Sequence, residues 1–222
     1  MFNLNNINPI DMLARVFILL LVMPVHEFSH AAMAVRLGDD TPIKQGRYTL
    51  NPLAHLSLIG SIALLFFRFG WAKPVLVNPG NLKKPKRDMA IIAIMGPVAN
   101  ILAALVLVIV LRVFIGIYSP AGLNSNHMPQ QMLIFMIQIN LLLAAFNLLP
   151  IPPLDGSKVL GAFLPNSLYR SMDRYQGILT IVLLLLLFTG QLWGVIDGMV
   201  TWMAEMLWQI TSPIENLFRL AG

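Results

Sequence analysis

The chain has 222 residues, of which 57% are hydrophobic and 11% charged, with no cysteine and a formal net charge of +5. Soluble domains run near about 45–50% apolar, so the composition excludes a freely soluble protein and predicts one integral-membrane domain over residues 1–222. Without cysteine there can be no disulfide and no thiolate metal ligand. The small positive balance calls for no nucleic-acid partner and fits basic loops that face an anionic cytoplasmic leaflet.

Residues 1–11 carry no basic stretch, and no small-residue cleavage site follows the first apolar run. The first helix is therefore expected to be retained. Apolar runs lie at 12–37, 56–70, 89–118, 132–149, 178–190 and, less cleanly, 192–210. They predict an all-α polytopic membrane protein with about 5–6 hydrophobic segments. Pro24 should kink the first of these and expose carbonyls near Leu20.

Two residues beyond Pro24, the first run contains His26-Glu27-Phe28-Ser29-His30. Residues four apart share a helix face, so His26 and His30 can offer imidazole nitrogens to one metal ion at about 2.0–2.1 Å. Glu27 lies about 100° round the helix from His26, within reach of an attacking water and its proton. The competing reading makes the histidines core residues bonded to neighbouring helices. Three ionisable groups together in so apolar a run favour the metal, because such groups are costly in hydrocarbon and mark functional sites.

Basic residues set the topology. Arg36, Lys44 and Arg47 follow the first run, Lys73, Lys83, Lys84, Lys86 and Arg87 the second, and Lys158, Arg170 and Arg174 the fourth, whereas 119–131 has no Lys or Arg and should be extracytoplasmic. A full crossing by 56–70 would put one of its basic flanks outside. A re-entrant segment removes the conflict and fits the short length. Residues 46–50 and 73–77 have β-branched or aromatic character with proline at their ends and could pair as a small β element at the cytoplasmic surface. Trp193, Trp202 and Trp208 suit interfacial anchoring.

Two histidines need a third protein ligand, with the fourth position left for water. Asp155 is the best candidate, since it closes the run Asn147-Leu148-Leu149-Pro150-Ile151-Pro152-Pro153-Leu154-Asp155-Gly156 at the cytoplasmic end of the fourth segment. Prolines at 150, 152 and 153 cannot continue a helix, and broken backbone at membrane depth is tolerated mainly where it lines a wet cavity. Taken alone, Asp155 could equally be a loop acid at a helix end. Gly96, Ala99, Asn100 and Ala103 place small and polar groups on the third segment, where close helix packing is one reading and a polar partner behind a histidine is the other.

Together, the five-residue histidine motif and residues 147–156 resemble the signature of site-2 proteases, the intramembrane zinc metalloproteases of peptidase family M50. The resemblance extends through residues 46–55, 70–75 and 96–100 and is similar to the compact bacterial branch without a PDZ domain. It implies that His26, His30 and Asp155 bind one Zn2+, that Glu27 is the general base, and that Asn147 helps position the substrate. It further implies a multi-pass protein of the bacterial inner membrane, its active site toward the cytoplasm, acting on single-span transmembrane substrates. One departure is visible: related chains commonly have Asp-Pro soon after the histidine matching His55, and here Leu56-Ser57-Leu58 follows. His55 is then either hydrogen-bonded within a turn or an outer partner of the site. The alternative function is a divalent-metal transporter or a non-catalytic metal-binding membrane protein. A transport path would be expected to carry further intramembrane carboxylates, and few remain once Glu27 and Asp155 are assigned.

Overall fold

In a computed structural model, residues 13, 15–67, 72–118 and 128–214 are described, and all their regular structure is helical. Helix α1 (Arg15–Arg36) contains a π turn at Ile18–Val22, directly upstream of Pro24. Proline has no N–H to offer the carbonyl of Leu20, so the ladder slips by one and the Met23 N–H bonds Ile18 O instead. The helix ends at Leu37, where Gly38 takes a φ of 105° that a side chain would strain.

The other main helices are α2 (Leu58–Phe67), α3 (Pro85–Tyr118), α4 (Met128–Leu148), α5 (Asp155–Phe163), α6 (Asn166–Arg174), α7 (Gln176–Phe188) and α8 (Trp193–Ile210). Three of the described helices, α1, α3 and α4, are long and apolar enough to cross a membrane. The count rises to four only if α6 and α7, bent by 66° at their junction, act as one span. The chain is thus an all-α membrane protein with fewer clear spans than the 5–6 segments expected. Length and polarity explain the difference, because α7 has only 13 residues and α8, long enough at 18, carries Asp197 and Glu205. Apolar composition alone does not reveal where a helix stops.

No strand forms among the described residues, which corrects the expected pairing of 46–50 with 73–77. The one bridge joins Leu56 to Ala72. Residues 46–50 are taken up by turns and bends, and Pro74 removes a donor that a ladder would use. The bridge matters for topology. With Lys73 N donating to His55 O at 2.8 Å, it places the two flanks of α2 side by side. Arg47 fastens them further, through Ala54 O and, at 3.5 Å, Lys73 O. Helix α2 spans only about 15 Å, about half the thickness of a bilayer's hydrocarbon core. Residues 68–71 of this segment, and 119–127 of the expected outer loop, lie outside the described residues.

Residues 73–78, without regular secondary structure, form a strap over the C-terminal part of α1, with Val75 bonded to Glu27 and Asn78 to Asp39. Fully buried Asp39 anchors it, accepting from Asn78 N at 2.8 Å and Asn81 Nδ2 at 2.7 Å as well as from Thr41. Burial alone would raise the Asp39 carboxyl, yet these donors outweigh it and hold the group below the usual carboxylate range.

The core lies between α3 and α4, where Ala104, Ala144 and Ala145 are fully buried. Such small residues let helix backbones approach, which matters in lipid, where the hydrophobic effect does little to drive helices together. Helix α8 packs on this pair through Ile196, Met203 and Leu207. Near its end Trp208 stacks on buried Arg112 at 3.8 Å, and Arg112 Nε donates to Thr211 Oγ1 at 2.7 Å. Trp208 is therefore half-buried packing, whereas Trp193 and Trp202 are exposed as anchors would be.

Candidate metal centre

One turn of α1 separates His26 from His30, and their Nε2 atoms converge to 3.1 Å. Asp155 Oδ2 completes a triangle, 3.3 Å from His26 Nε2 and 3.1 Å from His30 Nε2. All three residues are buried. A tetrahedral ion with ligands at about 2.0–2.1 Å sets its donor atoms about 3.3–3.4 Å apart, so the triangle has the size of one tetrahedral face. Two nitrogens and one carboxylate oxygen are a donor set suited to zinc.

The space in front of the triangle is kept clear by Gly96 of α3. A Cβ on that residue would lie 2.5 Å from His30 Nε2 and 2.6 Å from His26 Nε2, against the two nitrogens that would hold an ion. Glycine at this point is a requirement of the site. From the sequence it read only as a small residue for helix packing.

Outer partners orient both rings. His30 Nδ1 lies 2.8 Å from Ile92 O, so Nδ1 carries the proton and Nε2 presents its lone pair. His26 Nδ1 lies 3.0 Å from the side-chain amide of Asn100, whose Oδ1 has no partner when the nitrogen faces the ring. Turning the amide over satisfies both groups, because a metal on Nε2 requires the proton on Nδ1, and that N–H needs an acceptor. Asn100, fully buried on α3, thus acts as an acceptor behind the histidine.

Asp155 arrives by a different route. Residues 149–154 break away from α4 through the three prolines, and Asp155 opens α5. Gly156 makes this possible, since a Cβ there would lie 2.2 Å from Leu148 O. Burial tends to raise the Asp155 carboxyl, but the neighbouring His26 and His30 and the charge of Lys158 outweigh it and keep the group below the usual carboxylate range. Lys158, one turn along α5, stands 3.6 Å from the other oxygen, Oδ1.

Glu27 lies beside the triangle, half-buried, with Oε2 accepting from Val75 N of the strap at 3.1 Å. A cavity of about 630 Å³ opens here, lined by Glu27, the strap, Phe146, Asn147, Asp155 and Lys158. Asn147 donates through Nδ2 to Leu143 O at 3.0 Å, which leaves its oxygen for the cavity. His55 is not part of the cluster: fully buried, it bonds Thr49 O at 2.8 Å within its own turn. The sequence reading did not single out the Ile92 carbonyl, the Val75 N–H or Lys158 for the site. Of these, only Lys158 left a signal, a cation three residues beyond the candidate ligand.

Comparison with known proteins gives a consistent result. The model of peptidase family M50 matches residues 14–190. YwhC of Bacillus subtilis is 38% identical over 184 residues, covering 82% of this chain and 83% of that protein. Rip2 of Mycobacterium tuberculosis is 27% identical over 206 residues, covering 89% of this chain and 73% of the relative. Both are named zinc metalloproteases by inference. MJ0392 of Methanocaldococcus jannaschii, named a zinc metalloprotease outright, is 31% identical over 152 residues, 68% of this chain and 34% of that protein. No solved structure matches the chain significantly.

Proposed function

The chain belongs to peptidase family M50 and is a zinc metalloprotease, and from that premise we propose that it hydrolyses peptide bonds of single-span membrane proteins within the bilayer. The observation that carries this reading is the donor triangle of His26, His30 and Asp155, with Glu27 at its side, inside a bundle of apolar helices. His26, His30 and Asp155 would hold one zinc. When bound, zinc supplies Lewis acidity toward a water and toward the scissile carbonyl.

The remaining steps belong to the chain's own groups. Glu27, steadied by the Val75 N–H, accepts the proton of the attacking water and delivers it to the leaving amine, so that one amide bond is exchanged for an acid and an amine. Asn147 offers its oxygen to the substrate backbone in the cavity. A transmembrane helix shields its own amides, so the substrate must unwind locally. The strap at 73–78 is not helical and would take an unwound segment alongside it. Water has a short path: from Arg36 to His30 and His26 is six to ten residues, roughly 9–15 Å along the helix.

In this reading the protein lies in a bacterial inner membrane with the site toward the cytoplasm and the α2 segment re-entrant. Single cysteines replacing Ala54 and Pro79 in this cysteine-free chain should both be labelled from the cytoplasmic face, and one replacing Met128 from the other. Labelling of positions 54 and 79 from opposite faces would require α2 and its flanks to cross. Transport of a divalent metal finds less support, because the described residues contain one group of potential ligands rather than a series.

Asp155→Ala tests the site itself. The change should strip zinc as well as activity, since it removes a ligand rather than a proton acceptor. Asp155→Asn should lose less metal. Full zinc retention in the alanine variant, measured by elemental analysis of the purified protein, would place the third ligand elsewhere.

A further inference from the structure

Lys158 has no role in the mechanism above, yet it is the one lysine or arginine among the described residues lining the 630 Å³ cavity. It sits one helical turn beyond Asp155, on the first turn of α5, so both side chains leave the same face. The two oxygens of Asp155 are thereby divided: Oδ2 points between the imidazoles, while Oδ1 faces the Lys158 ammonium at 3.6 Å. Its side chain is 42% exposed, so little packing depends on it.

We propose that Lys158 is a positioning residue that holds Asp155 in single-oxygen coordination and so keeps the fourth zinc position open. The inference rests on the metalloprotease reading and deepens it. A carboxylate facing a divalent cation can bind through one oxygen or both. Bidentate binding would fill the place that a catalytic site must leave for water. A fixed cation opposite Oδ1 opposes that rotation, since turning Oδ1 toward the metal would part it from the ammonium in a partly desolvated cavity. The α5 N-terminus favours the anion at Asp155 but does not choose between its oxygens. Lys158 does.

The experiment uses the full-length detergent-solubilised protein, with Lys158→Met, Lys158→Arg and Lys158→Gln prepared alongside the parent. Zinc affinity is read by chelator competition, and coordination by the visible absorption of the cobalt-substituted proteins. Lys158→Met and Lys158→Gln should bind zinc at least as tightly as the parent, because a second carboxylate oxygen is freed for the metal and a positive charge 3.6 Å from that oxygen is gone. Their cobalt spectra should differ from the parent's and should no longer respond to added azide, because the second carboxylate oxygen would take the position that an anion or water otherwise enters. Lys158→Arg restores the cation and should keep the parent spectrum and affinity. A parent-like spectrum and azide response in Lys158→Met or Lys158→Gln would overturn the proposal, as would zinc binding weaker than the parent's or an arginine variant that behaves as they do. If one neutral variant failed to fold, the other would decide. A parent that binds zinc but cleaves no membrane substrate would sink the proteolytic reading alone, because neither readout depends on turnover.

Discussion

Replacing Glu27 with glutamine should abolish peptide-bond cleavage while leaving zinc in place. The amide oxygen can keep the contact with Val75 N, now 3.1 Å from Oε2, so the local geometry and the strap should persist. What glutamine cannot do is accept the proton of the attacking water, and a positioned general base is worth about 10²- to 10⁴-fold in rate. The decisive measurement is cleavage of a single-span substrate by purified protein in lipid, beside zinc analysis of the same preparation. A variant that cleaved at the parent rate would remove Glu27 from the mechanism. One that lost zinc along with activity would assign the residue to the metal rather than to the proton. The same variant should also trap substrates and allow their identification.

A single methyl group on Gly96 should be nearly as damaging, for a reason that involves no catalytic atom. In Gly96→Ala the added carbon would lie 2.5 Å from His26 Cε1 and from His30 Nε2, well inside van der Waals contact. The methyl cannot yield, since it has no rotamer to change. Either α1 and α3 part or the imidazoles swing aside, and both responses break a donor triangle whose edges are 3.1–3.3 Å. Zinc occupancy and activity should fall together. Overpacking of this kind costs about 1–3 kcal/mol, so the variant should still fold, with a lowered unfolding temperature. Gly194→Ala on α8 is the matched control, because nothing lies within 4 Å of a Cβ there, and it should bind zinc as the parent does. Parent-level zinc in Gly96→Ala would show that α3 can retreat without disturbing the site and would end the cradle argument.

Both experiments turn on how the site divides between local and long-range information. His26, Glu27 and His30 were legible in the sequence because the helical repeat places residues four apart on one face, whatever the rest of the chain does. Asp155 was legible for a related reason: three prolines force a break, and an acid at a break in membrane-depth backbone invites a polar partner. The apolar composition indicated a membrane protein, and the charged flanks of residues 56–70 suggested the re-entrant course that the labelling of positions 54 and 79 is to test.

Tertiary structure decided what depends on residues far apart in the chain. The approach of α3 to α1 makes Gly96 part of a metal cradle instead of a packing glycine, and it sets Asn100 behind His26, 74 positions away. His55, similar in kind to the two ligand histidines, is excluded because its own turn supplies the Thr49 carbonyl and its ring is buried there. The expected strand pairing failed because a ladder needs matched donors and acceptors on both segments, and the prolines and turns leave too few. Helix breaks at the junction of α6 and α7, and again between α7 and α8, reduced the clear spans without changing the apolar pattern that had counted them. Periodicity and composition act through neighbours along the chain. The closing of a donor triangle and the emptiness required at its centre are properties of packing, and those arise only when separate helices meet.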